Sequence, residues 1–292
     1  MNRILILLTT ATIIASCNKK SEKPDAFGNF EAIETLVSSE TSGKIQWLSI
    51  DEGSAIKKNQ TVGLIDTIMP TLQLNEIQAQ GYRIKANIKS IDSQSEILKQ
   101  QKENIAIDLK RIKNMINSGA ATQKQLDDAI GGLKVIAKQI DANETQKAAI
   151  ASELTVIRAK KLIVIEQLNR CKIKNPINGV VLEKYAEPGE ITAAGKPLYK
   201  IADVENIILR AYVPGSMLHK VLKGQTCKVL IDKGKKDNIE YEGKITWISN
   251  QAEFTPKIIQ TKEERVSMVY AIKINVKNDG SIKIGMPGEV IF

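Results

Sequence analysis

Two stretches of this chain repeat one another at a constant offset of 136 residues, and that repeat restricts the fold more than any other feature. Ser42-Gly43-Lys44-Ile45 is answered by Asn178-Gly179-Val180-Val181, and Glu52-Gly53 by Pro188-Gly189. Asn59 then falls opposite Gly195, Val62 opposite Leu198 and Ile65 opposite Ile201. The glycines mark turns between short strands, and the apolar residues take the core-facing places. Each half is only about 25 residues, too small to bury a core alone. The halves must therefore interlock into one β-sandwich, predicted over residues 38–69 plus 169–203, that brackets whatever lies between them.

What lies between them is helical. Residues 70–168 contain no proline after Pro70 and no glycine except Gly81, Gly119, Gly131 and Gly132. Ile77, Ile84, Ile91, Leu98, Ile105 and Ile112 recur at every seventh position, the period of a coiled-coil seam. The companion positions are weaker, because Ser95 and Lys102 interrupt Ile88, Leu109 and Ile116. At Asn117-Ser118-Gly119-Ala120-Ala121-Thr122 the pattern breaks: Gly119 suits a left-handed helix end and Thr122 an N-cap. The second helix carries Leu126, Ile130, Leu133, Ala137 and Ile140. After a polar patch around Glu144 and Lys147 it resumes with Leu154, Ile157, Ile165 and Leu168. So short a turn forces an antiparallel hairpin, a rod of about 70 Å at 1.5 Å per residue.

After Asp203 the pattern turns all-β: Ile207 to Val213, Thr226 to Ile231, Glu240 to Ile248, Val269 to Val276, then a last run closing at Phe292. Glycine, proline and asparagine separate these runs, which predicts a small barrel over residues 204–292, with residues 27–37 adding a strand to it. At the other terminus Met1-Asn2-Arg3 and a short apolar run read as a signal peptide over residues 1–16. Ile14-Ala15-Ser16-Cys17 follows in the form of a bacterial lipobox, with Cys17 as the lipid attachment point and residues 17–28 as a polar tether.

Several function classes fall away. The net charge of +9 is spread along the chain without interleaved aromatics, which make up 4% of residues, so nucleic-acid binding is not expected. His219 is the single histidine, so neither a histidine metal cluster nor a Ser-His-Asp triad can be assembled. Carboxylate pairs such as Asp127-Asp128 and Glu263-Glu264 sit side by side and do not bracket a substrate. No enzyme activity and no cofactor are expected. Beyond Cys17, Cys171 near a strand start and Cys227 in an apolar run predict partly buried free thiols, with a disulfide as the alternative. A lipoyl-type carrier is disfavoured because Ile65-Asp66-Thr67-Ile68-Met69-Pro70 offers no lysine for attachment.

In this order the residues resemble the HlyD-type periplasmic adaptor, or membrane fusion protein, family. Ser42-Gly43-Lys44-Ile45 through Asp51-Glu52-Gly53 to Val62-Gly63-Leu64-Ile65-Asp66 is similar to its first lipoyl-like half. Asn175-Pro176-Ile177-Asn178-Gly179-Val180-Val181 resembles the opening of the second half, with Asn175 where alanine is usual. Gly285-Met286-Pro287-Gly288-Glu289-Val290 resembles the barrel signature. With Phe254-Thr255-Pro256 and Gln260-Thr261-Lys262-Glu263-Glu264-Arg265, the similarity runs to adaptors that serve ABC-type exporters.

The resemblance implies an α+β chain: a split lipoyl-like β-sandwich (a barrel-sandwich hybrid), an inserted coiled-coil hairpin and a C-terminal β-barrel. It implies a lipid-anchored periplasmic protein at the inner membrane of a Gram-negative bacterium. Such a protein links an inner-membrane ABC-type transporter to a TolC-type outer-membrane channel, as a homo-oligomer that in the family is hexameric. The family's tip docks on the channel through arginine, leucine and serine at spacings of four and seven. Arg111, Met115 and Thr122 hold those places here, with Gly119 and Leu126 completing the tip. A structural or regulatory coiled-coil lipoprotein without a transport role is the alternative.

Overall fold

The computed structural model describes residues 23–234, 237–254 and 268–292. The expected signal peptide, Cys17, the first part of the tether, Thr255-Pro256 and the stretch from Gln260 to Arg265 lie outside the described residues.

The repeat is realised strand for strand. The first half supplies β2 (Glu34–Ser38), β3 (Gly43–Leu48), β4 (Ala55–Ile56) and β5 (Thr61–Ile65). The second supplies β6 (Lys172–Lys174), β7 (Gly179–Lys184), β8 (Ile191–Thr192) and β9 (Pro197–Ala202). They form two four-stranded sheets in the orders β2-β9-β7-β4 and β6-β5-β3-β8, so each sheet takes strands from both halves. Even single hydrogen bonds recur. The Asn59 N–H donates to the Asn175 carbonyl at 2.7 Å, and its counterpart, the Gly195 N–H, donates to the Ser39 carbonyl at 2.8 Å. Asn59 and Gly195 both hold positive φ, 65° and 85°, the left-handed corner that asparagine and glycine accept at least cost.

Between the sheets lie Ile45, Leu48, Val62, Ile65, Leu198 and Ile201, with Tyr199 and Cys171 among them. Asn175 is fully buried here. Its side-chain amide donates to the Lys57 carbonyl at 3.1 Å and to the Ile177 carbonyl, while its Oδ1 accepts the Tyr199 hydroxyl at 3.1 Å. A buried amide with every contact satisfied is tolerated, and it ties the strand β6 corner to the centre of β9.

The helices are α1 (Ile68–Asn117) and α2 (Gln123–Arg170), inserted between the paired strands β5 and β6. The helix begins two residues before Pro70, earlier than the sequence suggested. Pro70 lies in the first turn, where a missing N–H costs nothing, and Asp66 Oδ1 accepts the Ile68 N–H at 3.0 Å.

The remaining strands are β1 (Ala26–Glu31), β10 (Asn206–Pro214), β11 (Thr226–Asp232), β12 (Asn238–Phe254), β13 (Met268–Lys277) and β14 (Pro287–Ile291). They close into a barrel in the order β1-β10-β13-β12-β11-β14. Phe30, Leu209, Val229, Ile245, Ile272, Ile274 and Val290 fill it. The expected single strand over residues 27–37 is corrected: β1 pairs with β10 and β14 in the barrel, whereas β2 pairs with β9 in the sandwich. Ala32 and Ile33 carry the chain across, because one extended segment cannot serve two separate cores. By the internal repeat, the junction from β9 back to β2 corresponds to the junction from β5 to β6. Barrel and hairpin are thus attached at equivalent points of the sandwich.

Cys171 and Cys227 are free and buried in different cores, the first in the sandwich and the second in the barrel.

Candidate functional site

The hairpin presents the residues singled out by the sequence. Its two helices have 50 and 48 residues, about 75 and 72 Å at the standard rise. Ile84 and Ile91 in α1 and Val164 in α2 are buried to 5–6% exposure, and the rest of the seam is half-buried. A two-helix rod can cover only one stripe of each helix, so most of its surface stays in solvent.

Midway along, the seam turns polar on both helices. Ser95 is 3% exposed and its hydroxyl has no hydrogen-bond partner. Near it the Lys147 ammonium of α2 meets the Asp92 carboxylate of α1 at 2.5 Å. The hydrogen bond to Asp92 raises the Lys147 pKa, with the carboxylate's charge adding to it. The interruption at Ser95 and the patch around Lys147 are therefore one layer, seen from its two sides.

At the tip both helix ends are capped. Gly119 sits at φ 70° and its N–H donates to the Ile116 carbonyl at 2.9 Å, while the Ala120 N–H closes on the Met115 carbonyl at 2.8 Å. The Ser118 hydroxyl donates to the same Met115 carbonyl at 3.0 Å. Thr122 opens α2 with a capping box: its N–H donates to Gln125 Oε1 at 2.8 Å, and its Oγ1 accepts the Gln125 N–H at 3.4 Å. Gln125 was missed as a tip residue, although Thr122 followed three residues later by glutamine is the sequence signature of this box.

These bonds fix the turn and leave the side chains of Arg111 and Met115 free of it, while the Thr122 hydroxyl is held inside the capping box, donating to Gln125 Oε1 at 3.1 Å. Arg111 and Met115 project from the last turns of α1, with Met115 40% exposed, and Thr122 is exposed. Leu126 is half-buried at the head of the seam, so it supports the tip more than it presents to a partner. Arg111 contacts Asp108 one turn back at 3.2 Å, with the two side chains 69% and 58% exposed. A pair so exposed contributes little stability and releases its guanidinium to a better acceptor. The tip can thus offer one planar donor and one apolar knob, beside the small exposed Thr122, on a capped frame. Cys17 lies outside the described residues, and the structure places no other predicted site residue away from the tip.

Among the described residues no cluster of three or more histidine, cysteine or acidic side chains is arranged to hold a metal ion. No described helix is long and apolar enough to cross a membrane.

No established family profile matches the chain. The UPF0194 membrane protein of Yersinia enterocolitica is 27% identical over 298 residues, spanning 91% of this chain and 88% of that protein. Among solved structures, the periplasmic adaptor protein EmrA superposes with a TM-score of 0.50 at 15% identity, over 91% of this chain and 97% of its own. The chain has the periplasmic adaptor fold. A MacA–MexA chimera carrying the Pseudomonas aeruginosa MexA α-hairpin domain agrees, with a TM-score of 0.51 at 21% identity over 91% of this chain and 78% of its own. Sandwich, inserted hairpin and closed barrel together make up the fold that these structures share with the chain.

Proposed function

We propose that the chain is the lipid-anchored adaptor of an export assembly, joining an inner-membrane transporter of the ABC type to a TolC-type outer-membrane channel. The observation that carries this reading is the hairpin tip: a backbone locked by caps at both helix ends, displaying Arg111, Met115 and Thr122 to solvent. A spacer needs length but has no use for a rigid, partner-ready end. Arginine's fork suits the exposed carbonyls of a partner's helix ends, and an apolar residue with a small hydroxyl allows close approach.

On this reading the protein performs no chemistry. Cys17 carries the lipid, the inner membrane holds the anchor, and the transporter supplies the energy. Several copies, six by family resemblance, stand side by side around a conduit.

The test is in-cell crosslinking from cysteines placed at Met115 and Thr122, with the captured partners identified by mass spectrometry. Capture of an outer-membrane channel protein is expected, together with loss of export in Arg111→Asp. Capture of neighbouring copies alone, with export intact in Arg111→Asp, would instead favour a structural coiled-coil lipoprotein.

A further inference from the structure

One end of the barrel gathers features that the adaptor reading leaves unused. The chain enters β1 there: the Asp25 N–H donates to the Val290 carbonyl, and the Phe292 N–H donates to the Asp25 carboxylate at 3.0 Å. Pairing of Lys228 with Ile291 brings the start of β11 to the same end, and pairing of Phe27 with Tyr212 brings the close of β10. The segment joining β10 to β11, a 3-10 turn over Gly215–Lys220 followed by a loop to Gln225, is therefore on the side where the chain arrives. The links to the sandwich leave from the other ends of β1 and β10.

That loop exposes a large apolar side chain among cations. Leu222 is 67% exposed, although Val221 beside it is buried in the barrel core. His219, Lys220 and Lys223 flank it in sequence, all exposed, and Lys23 is exposed where the chain arrives. The one acidic group described beside Lys23, Asp25, is occupied by the Phe292 N–H. The backbone of the loop is fixed: the Leu222 N–H donates to Gln225 Oε1 at 2.9 Å and the Gly224 N–H to the Ile245 carbonyl at 2.8 Å. Leu222 is thus held outward by a rigid turn.

We infer that this loop rests on the anionic membrane surface, with Lys220 and Lys223 at lipid headgroups and Leu222 in the interfacial layer. The inference depends on Cys17 being the lipid anchor. From Asn18 to Lys23 the chain spans at most about 20 Å fully extended, so an anchored barrel cannot stand far from the bilayer. Within that distance, lysines feel the attraction of anionic lipid, and a leucine gains by leaving water.

The test uses the full chain, carrying its own lipid and reconstituted in vesicles of phosphatidylethanolamine and phosphatidylglycerol. Leu222→Cys is labelled with an environment-sensitive dye. Labelling is selective because Cys171 and Cys227 are buried, and burial pushes the Cys227 thiol up to about 11. A blue shift with quenching by brominated lipid is expected at position 222, against solvent-like emission from Lys138→Cys on the hairpin. Adding K220E and K223E removes the shift while the protein still floats with the vesicles. At roughly fivefold per lysine the immersed fraction falls more than about tenfold. Solvent-like emission at position 222 from protein that floats overturns the contact alone. An unchanged shift in the double variant overturns the role of the lysines. Protein that fails to float overturns the anchor, and with it the contact.

Discussion

The split sandwich and the hairpin interleaved with it are stabilised by opposite means. The sandwich closes a core from two half-repeats and satisfies its central buried amide, Asn175, against Tyr199, leaving only the Thr192 hydroxyl at its β8 edge buried without a partner among the described residues. The hairpin has one thin seam, broken by a polar layer in which Ser95 is buried without a partner. Its ends depend on caps and not on a core. The sandwich is thus a platform in which each deletion is felt throughout, whereas the rod should respond locally, segment by segment.

Asn175→Ala should be the most damaging change, at about 2–3 kcal/mol, because it strands the buried Tyr199 hydroxyl and takes a donor from the Ile177 carbonyl. Chemical denaturation measures it, and a loss below 1 kcal/mol would mean that water enters the sandwich. Ile91→Ala in the seam should cost about 2 kcal/mol, at the low end for a buried isoleucine because a two-helix seam collapses readily. Hydrogen exchange should show that loss confined to α1 and α2, and its spread into β5 and β6 would break the contrast. Thr122→Ala, which removes the cap, should cost about 1 kcal/mol and fray only the first turn of α2.

Ser95→Ala should carry the opposite sign, stabilising the hairpin by about 0.5–1 kcal/mol, since it deletes a buried hydroxyl that has no partner. The remaining effect is confined to alkaline pH. Burial pushes the Tyr199 hydroxyl up to about 12, so the fold favours its protonated form. That stability is fully present below the ordinary tyrosine pKa of about 10 and is lost as pH rises from there towards 12. An alkaline titration of unfolding should steepen in that window, and Tyr199→Phe should remove the steepening.

Much of the fold was legible because its signals are local or periodic. The offset between Gly43 and Gly179 exposed the split sandwich, and Ile77 through Ile112 exposed the seam. What escaped depends on partners distant in sequence. Nothing local distinguishes residues 27–37 as two strands, since β1 and β2 differ only in whether β10 or β9 lies beside them. Asn175 read as a departure from an alanine until Tyr199 appeared opposite it. Ser95 and Lys147 read as separate flaws because the antiparallel path that joins them runs through the turn at Gly119. At the tip, Gly119 and Thr122 announced themselves by turn chemistry, whereas the outward aim of Arg111 and Met115 needed the seam to be located first.

The position of β1 also bears on how the molecule would carry load. β1 runs between β14 and β10, receiving the chain from the N-terminal side at one end and passing it to the sandwich at the other. Tension drawn between that terminus and the hairpin acts along the strand, so the bonds to both neighbours resist together in shear. They cannot be peeled apart one at a time. A barrel threaded this way would act as a mechanical coupling as well as a folded domain, stiffest along β1.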